Sequence, residues 1–188
     1  MGALQDTLAV ALIAAWQGPA AAGFWGLSLR YLKAPATLVG GAVSQALYPP
    51  LAAAGTATVQ GRASVRRVMR TLALLALPLV LALWLAAPAA FAAAFGEAWR
   101  EAGELSRALA LYVGVHFVAS PLSVATMAWG AQAWALKLSL VGQALFVAAL
   151  AAGLAWGGLN AAGWAVSAVM ALYFGWFFWK LATWEVAA

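Results

Sequence analysis

The chain has 188 residues, of which 66% are hydrophobic and 8% charged, with 11 tryptophans, no cysteine and a formal net charge of +5. Soluble domains run at about 45–50% apolar and about 25% charged, so this composition excludes a soluble globular protein and implies an integral membrane one. Without cysteine there is no disulfide, zinc–thiolate site or cysteine nucleophile, and basic residues set in a membrane loop and inside helices read as topology signals and an anion site, not as a nucleic-acid surface.

Six apolar segments follow one another, punctuated by Gly, Pro and charge. Thr7 to Trp16 is the first, and about ten apolar residues are too few for a hydrocarbon core that needs about 20. No basic leader precedes it, so no signal peptide is expected. The others are Gly23 to Pro49, Val68 to Pro88, Leu105 to Trp129, Leu136 to Trp156 and Leu159 to Lys180. Backbone groups in lipid must pair internally, and runs this long without strict alternation mean helices. The expected fold is therefore an all-α integral membrane protein of about six transmembrane helices, one lobe spanning residues 1–188.

Loop charge predicts the orientation. The stretch from Gly55 to Arg70 holds Arg62, Arg66, Arg67 and Arg70 and no acid, whereas the loop after the third helix holds Glu97, Glu101 and Glu104 beside Arg100 and Arg107. The positive-inside rule puts the first in the cytoplasm, with Lys137 and Lys180, and the second outside. The late cluster Tyr173, Phe174, Trp176, Phe177, Phe178, Trp179 and Trp184 reads as an aromatic belt at the cytoplasmic interface. The three glutamates read as a solvated turn with Arg partners, not as a catalytic pair.

The second segment carries a polar stripe. Arg30, Lys33, Thr37, Gly41, Ser44 and Tyr48 recur at spacings of three and four and fall within an arc of about 80°. Each cation costs about 2.5–3.5 kcal/mol at a bilayer centre, so such groups face a cavity or reach for an interface. Snorkelling suits Arg30, about 10 Å deep, better than Lys33, at about 15 Å. It leaves Thr37, Ser44 and Tyr48 unexplained, and both readings stay open. A second stripe, Tyr112, His116, Ser120 and Ser123 in the fourth segment, fits the opposite wall of a cavity or simple helix-to-helix hydrogen bonding. Pro121 interrupts it and predicts a bend. Asp6 lines the same cavity or sits in a frayed terminus. His116 has no partner at ligand spacing, so neither a metal site nor a catalytic base is expected. The third segment is apolar throughout, apart from Trp84, and should face lipid or pack. Gln143 in the fifth should pack against a neighbour.

The stretch GFWGLSLRYLKAPATLVGGAVSQALYPPLA, with FGEAWREAGELSRALALYVGVHFVASPLS after it, resembles the second half of polysaccharide-biosynthesis flippases, the O-antigen and exopolysaccharide transporters related to the multidrug and toxin extrusion (MATE) fold. Gly26, Leu29, Arg30, Gln45 and Pro49 occupy positions comparable to the family's helix entry and cytoplasmic turn. The resemblance implies one lobe of a V-shaped, MATE-like transporter in the bacterial cytoplasmic (inner) membrane, beginning inside a truncated first helix at Met1 and facing an amino-terminal six-helix lobe supplied in cis or in trans. It implies translocation of an undecaprenyl-diphosphate-linked oligosaccharide, with Arg30 and then Lys33 on the diphosphate, and Tyr48, Gln45, Tyr112 and His116 on sugar. It implies no enzyme activity, no cofactor and no metal; membrane lipid is the surrounding partner. The alternatives are half of a cation-coupled multidrug antiporter, with Asp6 as its acid, and a non-transporting structural membrane protein or gene fragment.

Overall fold

A computed structural model describes residues 2–185 of the chain, with side chains from Gln5 onward. Met1, on which the expected truncated start rests, lies outside the described residues. Those residues form α1 (Gly2–Gln17), α2 (Pro19–Ala54), α3 (Val59–Phe95), a single 3-10 turn (Glu97–Trp99), α4 (Arg100–Ala128) and α5 (Gln132–Ala182). At 1.5 Å per residue α1 is about 24 Å long, short of a core of about 30 Å. Among the described residues three helices, not the six expected, are both long and apolar enough to cross a membrane: α3, α4 with its preceding turn, and α5.

The predicted fifth and sixth segments share α5, which breaks where the sequence divides them. Gly157 and Gly158 leave helical geometry, and Gly158 has φ 73° and ψ −156°, a conformation essentially confined to glycine. Beyond it the chain folds back on itself. Tyr173 donates from its hydroxyl to the Leu138 carbonyl at 2.8 Å, and Gly153 presses against the Ala162 backbone with no room for a Cβ. Small residues allow such close helix approach in membranes.

The arginine-rich stretch, expected as a loop, is mostly helix. Only residues 55–58 turn. Thr58 caps α3 by accepting from the Gly61 N–H at 3.0 Å, so Arg62, Arg66 and Arg70 stand at four-residue spacing on its first turns. The cap and that spacing were both readable; uniform charge hid them. Pro121 lies inside α4 and does not end it.

α4 is the central helix. It packs against α2, α3 and α5 and buries residues around most of its circumference, among them Leu105, Leu109, Tyr112, Val113, Phe117 and Leu122. Short polar links fasten it to its neighbours: Ser28 Oγ donates to the Ala102 carbonyl at 3.1 Å and Ser167 Oγ to the Ala108 carbonyl at 2.6 Å. By contrast α3 exposes Leu74, Leu75, Leu77, Leu81 and Leu85. An uninterrupted apolar face of this size belongs against lipid. This is a membrane protein, and the exposed face of α3 is suited to lipid.

Charge pairing closes the two ends differently. At the α3–α4 turn Arg100 bridges Glu97 and Arg107 bridges Glu104 at 3.0 Å, as the spacing predicts. At the other end Arg62 donates to the Trp184 carbonyl at 2.9 Å. The Trp184 ring meets Trp129 and Trp134 at centroid distances of 5.6 and 4.9 Å.

Candidate binding cavity

Polar side chains from several helices line a half-open cavity of about 250 Å³ between α1, α2, α4 and both arms of α5. Tyr112, His116, Ser120 and Ser123 line it from α4, Lys33 from α2 and Gln5 from α1. Facing them on α5 are Trp134, Ser139, Gln143, Tyr173, Phe174 and Phe177. Tyr112 to Thr126 spans fourteen positions, so the cavity runs for about 21 Å along α4. Its far end lies beside Trp134, next to the Arg62–Trp184 contact.

Lys33 is the cation of the cavity wall. Its Nζ donates to both carboxylate oxygens of Asp6, at 2.8 and 3.1 Å. The Lys33 side chain is 22% exposed and that of Asp6 42%. The carboxylate neutralises an ammonium in a poorly solvated place and ties α1 to α2. His116 stands between Tyr112 and Phe174, at ring-centroid distances of 5.7 and 6.1 Å. Its Nδ1 is buried with no hydrogen-bond partner among the described residues. A buried polar atom of that kind calls for a water or a ligand atom.

The hydroxyls of the α4 wall are arranged in one sense. Ser123 Oγ donates to the Ser120 carbonyl and Thr126 Oγ1 to the Ser123 carbonyl, both at 2.7 Å. Their single hydrogens are spent on the helix, and their lone pairs remain as acceptors. Across the cavity Gln143 donates one N–H to Ser139 Oγ at 3.3 Å, leaving its carbonyl oxygen and second N–H.

The stripe on α2 is divided by this geometry. Lys33 reaches the cavity. Arg30, about 60° round the helix from it, stands exposed outside the lining, as do Thr37, Gln45 and Tyr48. Thr37 donates to its own helix at the Lys33 carbonyl, 3.0 Å away. Ser44 donates to the Pro121 carbonyl at 3.4 Å and so fastens α2 to α4 instead of lining the cavity. Asp6 contributes through Lys33. The second stripe lies on the lining as a whole. The α5 wall was not predicted as part of a cavity: Tyr173, Phe174 and Phe177 read as an interfacial belt and Gln143 as a packing residue. The signal present was Ser139 and Gln143, four apart in an otherwise apolar run.

A family model described as "Polysaccharide biosynthesis protein" matches residues 2–104. The chain belongs to that family. No curated protein and no solved structure matches it. In this polysaccharide-biosynthesis protein the matched region takes in α1, α2 and α3 and ends in the first turns of α4. It includes the Asp6–Lys33 pair and stops before Tyr112. The aromatic and hydroxyl walls of the cavity, on α4 and α5, lie beyond the matched residues.

Proposed function

We propose that the chain is one lobe of a flippase that moves an undecaprenyl-diphosphate-linked oligosaccharide across the bacterial inner membrane for O-antigen or exopolysaccharide assembly. The observation that carries this reading is Lys33: an ammonium held at the wall of a half-open cavity, in an apolar helical protein of a polysaccharide-biosynthesis family. A diphosphate is a strong anion, and charge-assisted hydrogen bonds to it gain strength where water is scarce. Asp6 engages Lys33, and a bound diphosphate would compete with it for the ammonium. The two arms of α5, with α1 to α4, give six rods for a MATE-like lobe. A second lobe, supplied in cis or in trans, would cover the face of α2 where Arg30, Thr37, Gln45 and Tyr48 are exposed. The arginines of α3 orient the Trp134 end of the cavity toward the cytoplasm, where the lipid-linked sugar is loaded, and the polyprenyl tail stays in the bilayer.

Asp6 is the acid that a cation-coupled antiporter would require in this lobe, and its engagement by Lys33 favours the flippase. The test is complementation in a bacterium whose resident flippase is deleted, with any second lobe encoded beside this gene co-expressed. Restored surface polysaccharide with the wild type, and its loss with Lys33→Ala at equal membrane abundance, is the expected result. Full export with Lys33→Ala overturns the reading.

A further inference from the structure

The Lys33 reading accounts for the anionic part of the ligand and leaves the rest of the cavity unused. From His116 to Thr126 the lining continues for about 15 Å along α4 with no charged side chain. Its two walls differ in chemistry. The α4 wall offers Ser123 and Thr126, whose hydroxyl lone pairs remain as acceptors. The α5 wall offers the rings of Trp134 and Tyr173, and Gln143 on the same wall keeps a carbonyl oxygen and an N–H beyond its bond to Ser139. The Trp134 ring is braced by Phe177, stacked at 6.3 Å, and by Trp184 at 4.9 Å. The Tyr173 ring is fixed by its bond to the Leu138 carbonyl. Both platforms are therefore held in place before any ligand arrives.

We infer that this stretch is a saccharide subsite, which binds the first sugars attached to the diphosphate. The inference rests on the proposed function and deepens it. A pyranose ring has apolar C–H faces and a rim of hydroxyls. Fixed aromatic faces receive the former, while a row of acceptors opposite and one amide receive the latter. The buried, unpartnered Nδ1 of His116 adds a polar atom between Lys33 and the aromatic end, where the sugar nearest the diphosphate lies.

The experiment compares binding of two kinds of lipid to the purified full chain in lipid nanodiscs. One is bare undecaprenyl diphosphate; the other is the same lipid bearing a single N-acetylglucosamine, glucose or galactose. The wild type is expected to bind at least one sugar-bearing lipid about tenfold more tightly than the bare lipid. Gln143→Leu and Trp134→Leu are expected to bring that ratio close to one without changing the affinity for bare lipid, and Trp134→Phe to retain part of it. Gln143→Leu preserves side-chain volume, so it reads the subsite even if Trp134→Leu fails to fold. A preference that survives in Gln143→Leu, or a wild type that prefers none of the sugar-bearing lipids, overturns the subsite while leaving the diphosphate reading intact. Failure to bind bare lipid overturns both.

Discussion

Lys33 and Asp6 are 27 positions apart in the chain and joined through both carboxylate oxygens, at 2.8 and 3.1 Å. The pair leaves the ammonium of the cavity wall without an unpaired charge, and makes Asp6 the internal competitor of any anion that binds there. Exposed pairs of this kind contribute about 0.2–1 kcal/mol, and Asp6 is 42% exposed. Asp6→Asn is therefore expected to tighten binding of undecaprenyl diphosphate by about two- to fivefold. Lys33→Met should weaken it by about tenfold or more, since hydrogen bonds to charged groups contribute about 1.5–3 kcal/mol. Titration of the purified variants with the bare lipid checks both; weaker binding by Asp6→Asn would remove Asp6 from the competitor role.

The fold-back of α5 depends on two glycines. Gly158→Ala places a side chain at φ 73°, ψ −156° and should cost about 1–3 kcal/mol. Gly153→Leu forces apart the arms where Gly153 meets the Ala162 backbone, and overpacking typically costs about 1–3 kcal/mol. Thermal unfolding in detergent should show both variants melting below the wild type, with Gly175→Ala, at an open position, unchanged. Equal melting of all three would contradict the hairpin geometry.

The chain contains no cysteine, so single cysteines report topology directly. Ser64→Cys, exposed among the α3 arginines, should react with a membrane-impermeant maleimide only after lysis. Ala98→Cys, exposed in the turn before α4, should react in intact cells. The reverse pattern would invert the orientation and place the cavity's aromatic end outside.

Arg62 and Trp184 hold the last described residues against the Trp134 end of the cavity. Arg62→Ala removes the hydrogen bond to the Trp184 carbonyl and should cost about 1–3 kcal/mol. The loss should appear as faster proteolysis after Trp179 and Trp184 with α4 intact. An unchanged cleavage pattern would mean that ring packing alone holds this turn.

Much of this fold is legible in the sequence. Helix positions followed from hydropathy, and the Gly157–Gly158 break was legible as the gap between two apolar runs, because only backbone freedom could reverse the chain there. The Tyr112–Ser123 stripe was legible because periodicity within one helix is a local property, but it fitted a cavity wall and helix-to-helix bonding alike. The division between Arg30 and Lys33 was readable only in part, since depth already suited Arg30 to snorkelling better than Lys33. It depends on where α4 crosses α2, and a stripe of about 80° leaves room for one cation inside and one outside. The role of Tyr173 and Phe177 was hidden for a related reason. Aromatic residues near a helix end fit an interface belt equally well until the opposing arm, with Gln143 and Trp134, is in place.

The most direct test of the central claim places a photoreactive amino acid at position 116, inside the cavity, or at position 85, on the lipid-facing side of α3, in cells that make lipid-linked oligosaccharide. Position 116 is predicted to capture the oligosaccharide-bearing lipid, with capture reduced by Lys33→Ala, and position 85 only bulk phospholipid. Capture at 85 equal to that at 116, or none at 116 in cells that export polysaccharide through this protein, would contradict the account.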